Sequence, residues 1–171
     1  ELRVLQRAHR ERVAAIMAKL GLEHSDLANR IFCVRDLAYN RRPSGTCDLE
    51  SFVVAVWNLC TSELRYLCFE LYDVDASGFL EMSELQALVV DASTIDGARS
   101  DRVVRLMQDL RTCVEESPHG ALSKAEFDEF CAARPSLLAP AYQIRDRLRR
   151  VVGGERFWRR VEARRQMHGK D

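Results

Sequence analysis

Asp73-Val74-Asp75-Ala76-Ser77-Gly78-Phe79-Leu80-Glu81-Met82-Ser83-Glu84 is the stretch on which the reading of this chain turns. It spaces oxygen-bearing groups the way a hard divalent cation needs them, since such an ion as calcium takes six to eight oxygen ligands. Asp73, Asp75 and Ser77 offer side-chain oxygens at positions 1, 3 and 5 of the twelve. Phe79 offers its backbone carbonyl, Glu81 an oxygen acting through water, and Glu84 a bidentate carboxylate that closes the cage. Gly78 lets the chain turn sharply with positive φ. Leu80 is apolar, which suits a residue pairing in a short β-bridge with a sister loop. A helix–turn–helix with merely solvated acids is the bland alternative. It is disfavoured because the constrained positions and both flanking segments agree.

Those flanks read as helices. Leu64, Leu67, Cys68, Leu71 and Tyr72 are spaced for a helix running into the loop, and Leu85, Leu88 and Val89 mark one running out. Residues 91–98 read as a linker containing Gly97. Two more segments share the twelve-residue register without its chemistry. From Asn40 to Ser51, Gly45 and Cys47 suit the backbone, but Arg42 replaces a ligand and Ser51 the closing carboxylate, so no metal is expected. From Glu115 to Glu126, Gly120 and Leu122 fit. Ser117 and His119 are poor ligands for so hard an ion, so weak or no binding is expected. The apolar Leu80 and Leu122 predict that these two loops pair.

Five segments follow: an N-terminal helix over 1–24, three helix–loop–helix units over 25–61, 62–96 and 99–134, and basic C-terminal helices over 136–171. Gly21 ends the first helix and Ser25 caps the second. On the next helix Phe52, Val53, Val56, Trp57 and Cys60 are expected to face inward. In the last segment Leu137, Ala141, Ile144, Leu148 and Val151 form an apolar stripe opposite an arginine-rich face, and Gly153-Gly154 breaks the helix before Phe157 and Trp158.

Composition narrows the function. The net charge is zero, yet residues 143–171 carry ten basic and four acidic side chains, so the tail is +6 and the rest −6. The six cysteines are scattered without CxxC spacing and read as small core residues in a reducing compartment. No apolar run approaches the length that crosses a bilayer, and no signal peptide is visible. There is no phosphate loop, nucleophile motif or HExxH pair, so no enzymatic activity is expected. Arginines of the tail are read as a solvated face rather than a nucleic-acid site.

The stretch from Leu64 to Asp75, followed by Ser77, Gly78 and Glu84, resembles the third hand of the calcineurin B and neuronal calcium sensor group of EF-hand proteins. The degenerate loops 33 residues before and 42 after are similar to that group's spacing. The resemblance covers about Leu20 to Phe130 and implies an all-α fold of EF-hand helix–loop–helix repeats, with short β-bridges between paired loops. The ligands it carries over are Asp73, Asp75, Ser77, Phe79, Glu81 and Glu84. It also implies an apolar groove that takes a helix, from a partner or from the protein's own C-terminus. Such proteins have four hands, and nothing in Glu1 to Leu20 looks like a calcium loop. The chain also starts without methionine, so an eroded or missing first hand is expected.

The expected function is thus a calcium sensor or regulatory subunit that binds a helical partner. It would have one calcium site, which magnesium can take at rest. The alternative is a structural adaptor of a cytoskeletal or flagellar assembly with one retained site. Phe157, Trp158, Arg159 and Arg160 are the candidate partner contacts, because aromatic residues beside arginine anchor interfaces. A cytoplasmic, cytoskeleton-associated location is expected. Neither nucleic acid nor membrane is, unless a preceding N-terminal segment carries a lipid.

Overall fold

The computed structural model describes residues 15–22, 25–33, 49–96 and 100–168. Residues 15–19 are helical and stop at Gly21, whose φ of +63° turns the chain. Then come α1 (Asp26–Cys33), α2 (Leu49–Thr61), α3 (Leu64–Tyr72), β1 (Phe79–Leu80), α4 (Met82–Asp96), α5 (Ser100–Glu116), β2 (Leu122–Ser123), α6 (Lys124–Ala133), α7 (Ala139–Val151) and α8 (Glu155–His168). The described residues are overwhelmingly helical, so the fold is all-α in class, with one two-stranded sheet among them.

Local chemistry explains several boundaries. The Ser25 hydroxyl accepts the Ala28 N–H at 3.1 Å and caps α1. Ser123 and Glu126 form a reciprocal capping box at the start of α6. α7 opens with Pro140 in its first turn, where a missing N–H costs nothing.

α3 and α4 flank the first loop, and α5 and α6 flank the second. The loops meet through β1 and β2, antiparallel, with Phe79 opposite Ser123 and Leu80 opposite Leu122. This is the register that apolar residues at the same loop position anticipate. Both leucines are buried in one continuous core with Phe69, Leu85, Leu110 and Phe127. α1 packs on α2 and α4, α7 lies against α2 and α4, and α8 lies against α2. Leu137, Ile144, Leu148 and Trp158 thereby join the core built by the helix–loop–helix units.

Three expectations need correction. The presumed linker from residue 91 is helical through Asp96. Ala92 is buried there and the Ser93 hydroxyl turns back to the Val90 carbonyl at 2.7 Å, so packing outweighs modest helix propensity. On α2 the inward residues are Phe52, Ala55, Val56, Leu59 and Cys60, whereas Val53 and Trp57 are exposed. The helix is apolar almost all round, so periodicity alone leaves its phase open. On α7 the inner stripe ends at Leu148. Val151 is exposed and Arg149 is buried instead. The 40–51 loop falls largely outside the described residues, as do residues 1–14.

Candidate metal centre

The loop begins where α3 runs out. The Asp73 N–H still donates to the Phe69 carbonyl at 2.9 Å, but its side chain already belongs to the loop. That carboxylate, buried, accepts the Ser77 N–H at 2.9 Å on one oxygen and the Gly78 N–H at 3.2 Å on the other. Asp75 accepts the same Ser77 N–H at 3.0 Å. This folding of backbone donors onto two aspartates forces a tight reversal. Ala76 has φ +58° and Gly78 has φ +81°. A Cβ on Gly78 would meet nothing within 4 Å, so glycine is there for its φ and not for space.

Glu84 returns from the first turn of α4 to close the loop. One of its oxygens accepts the Val74 N–H at 2.8 Å and the other the Glu81 N–H at 3.1 Å. Carboxylate oxygens of Asp73, Asp75 and Glu84 thereby lie within 4.8 Å of one another. Of the other expected ligands, Ser77 Oγ donates to the Phe79 carbonyl at 3.0 Å and lies 3.5 Å from Asp73 Oδ1. Glu81 is exposed, and its carboxylate is not part of the converging group.

Electrostatics within the loop are unbalanced. The Glu84 carboxyl is held above its ordinary range chiefly by burial, with the charges of Asp75 and Asp73 adding to it, against the pull of the two backbone N–H groups. Asp75 is held below its range by the Ser77 N–H. Three carboxylates on one small volume are the oxygen donors that a hard divalent cation takes.

The second loop is closed differently. Ser117 Oγ donates to the Ala121 carbonyl at 2.7 Å, so two of the loop's oxygens are turned on each other. Glu126, in the closing position, accepts the Ser123 N–H at 2.7 Å and the Ser123 hydroxyl at 2.6 Å, and the hydroxyl is the largest influence holding its carboxyl low. His119 is exposed and rests its ring 4.8 Å from the Phe79 ring. Among the described residues, only the Asp73, Asp75 and Glu84 group converges as a metal cage would.

Behind the first loop stands a half-buried polar contact that sequence periodicity does not announce. The Tyr72 hydroxyl donates to Asp91 Oδ2 at 2.9 Å, Arg30 Nε donates to the same oxygen at 2.7 Å, and the guanidinium lies 4.4 Å from the centre of the Tyr72 ring. Burial, then the Asp91 carboxylate, pushes the Tyr72 phenol up. The contact ties α1, the incoming helix α3 and the outgoing helix α4 together next to Asp73.

The tail candidates separate. Trp158 is buried, with its indole N–H on the Val152 carbonyl, and packs edge-on to Trp57. Phe157, Arg159 and Arg160 are exposed, and Arg159 sits 3.6 Å from Glu155. Arg149, unanticipated, donates to the Cys60 carbonyl and the Glu162 carboxylate from a buried position and so fixes α8 against α2. The spacing along α7 gives no signal for it, since Arg149 follows Leu148, where the inner stripe ends.

Between α5 and α6 a cavity of about 470 Å³ is lined by Cys113, Leu122 and Phe130 and rimmed by Asp109, Glu126 and Arg134. No helix among the described residues is long and apolar enough to cross a membrane. No protein-family model matches this chain.

Proposed function

We propose that this chain is an EF-hand protein whose 73–84 loop binds one calcium ion, and that it acts as a calcium sensor or regulatory subunit for a helical partner. The convergence of Asp73, Asp75 and Glu84 within 4.8 Å, in a loop turned by Gly78, carries this reading. In it Ser77, the Phe79 carbonyl and Glu81 complete the oxygen set, and magnesium competes for the site at rest. A bound cation would offset the burial that chiefly holds the Glu84 carboxyl high, and with it the smaller repulsion from Asp75 and Asp73. The cavity between α5 and α6, with Leu122 and Phe130 set among acidic residues, and the basic tail are the surfaces available to a partner. Nothing in the reading calls for catalysis, nucleic acid or a membrane.

One observation favours a structural adaptor instead. α7 and α8 already cover apolar surface of the helix–loop–helix units with Leu137, Ile144, Leu148 and Trp158. A single pair of measurements decides between the readings. Calorimetry should find one calcium site that Glu84→Gln abolishes. A hydrophobic dye should then brighten on calcium addition for a sensor and stay dark for an adaptor. Two or three equivalent sites, or none, would refute the proposal.

A further inference from the structure

Three aromatic rings are in contact where α2 meets α8. Trp158 is the middle one, 6.3 Å from the Trp57 ring and 5.0 Å from the Phe157 ring. The middle ring is 3% exposed, while Trp57 and Phe157 on either side are 45% and 42% exposed. Val53 precedes Trp57 by one helical turn and is also exposed. The Phe157 ring is seated on bare backbone: a Cβ on Gly153 would sit 2.7 Å from Phe157 Cδ1. Arg160 lies three residues beyond Phe157 on the same face of α8. Neither Arg156 nor Arg160 has an acidic partner among the described residues, whereas Arg159 has Glu155.

Two half-exposed aromatics sharing a buried ring, flanked by arginine, have the composition of an interface centre rather than of ordinary surface. Charge indicates what covers them. Phe157, Arg156 and Arg160 lie in the +6 tail, while Val53 and Trp57 on α2 add no charge of their own, so the complement of the arginine edge is acidic. Shape narrows the class further. Insertion into a bilayer buries an apolar face roughly 5 to 10 Å deep, and these rings are half sunk among their neighbours. They suit being covered by another packed helix.

We propose that this patch docks an acidic amphipathic helix of a partner protein. Val53, Trp57 and Phe157 take its apolar stripe, and Arg156 and Arg160 take its carboxylates through paired N–H donors. This rests on the partner-binding reading above and moves the contact from the α5–α6 cavity to the α2–α8 corner, with Trp158 supporting the rings from behind.

The test titrates the full chain with a synthetic helix of about 18 residues, leucine at i, i+3, i+4 and i+7 and glutamate elsewhere. A lysine-for-glutamate counterpart and phosphatidylserine vesicles are run beside it. The acidic helix should bind in a salt-sensitive manner and the lysine helix should not. Phe157→Ala should weaken binding at least about tenfold, and Arg156→Gln with Arg160→Gln should weaken it and flatten the salt dependence. The charge variant removes only exposed groups, so it carries the test if Phe157→Ala loses helix content. Equal binding of both helices, unchanged affinity in the charge variant, or binding to vesicles alone overturns the inference. Calcium titration of the same samples keeps the two proposals apart: intact calcium binding without helix binding sinks only this one.

Discussion

Replacing Glu84 by glutamine is the sharpest probe of the loop, because it should change little without a cation and much with one. Without one, the amide keeps a single acceptor oxygen, so one of the Val74 and Glu81 N–H groups loses its partner. That costs about 1 kcal/mol at this half-buried position. The variant also removes the repulsion that Asp73 and Asp75 exert on Glu84, which acts in the other direction. The cation-free melting temperature should therefore change by no more than about 3 °C. With calcium present the effect is large. A site in the sensor range, roughly 10⁻⁷ to 10⁻⁵ M, stabilises the fold by about 2.7 kcal/mol when free ion exceeds the dissociation constant about a hundredfold. For a chain of 171 residues that is a rise of about 5 to 11 °C. Glu84→Gln should lose that rise. Thermal melts followed by circular dichroism, with calcium, with magnesium and with chelator, read all of these quantities. A wild-type chain whose melting temperature ignores millimolar calcium, or a variant that keeps the full rise, refutes the reasoning.

Arg149→Ala should be much more damaging than any exposed arginine replacement. It strips partners from the Cys60 carbonyl and Glu162, costs about 3 kcal/mol, and should release α8 first, as hydrogen exchange would show. Ala76→Asn should stabilise the cation-free chain by about 0.5 kcal/mol in urea melts, since asparagine tolerates φ +58° better than alanine and keeps less unfolded freedom than glycine. Burial pushes the Cys68 and Cys131 thiols up to about 12, so their contribution to stability is whole below the unfolded value of about 8.5 and is lost as pH rises toward 12. At pH 8 iodoacetamide should therefore modify half-buried Cys113 well before Cys60, Cys68 or Cys131, as peptide mapping by mass spectrometry would reveal.

The sequence by itself determined what depends on neighbours along the chain. The oxygen spacing from Asp73 to Glu84 and the glycine at position 78 belong to one short loop, and the observed hydrogen bonds all run between residues ten or fewer apart. Leu80 opposite Leu122 was legible for a related reason, since two loops of equal length bring the same position to the shared edge. The tertiary structure alone decided which way an ambiguous surface faces. α2 has apolar residues on every side, and only the arrival of α1, α7 and α8 left Val53 and Trp57 in solvent. The Tyr72, Asp91 and Arg30 contact and the burial of Arg149 likewise join residues 13 to 89 positions apart. A charged or hydroxyl side chain enters a core only where a distant partner satisfies it, and that partner's position is a property of the packed helices, not of local periodicity.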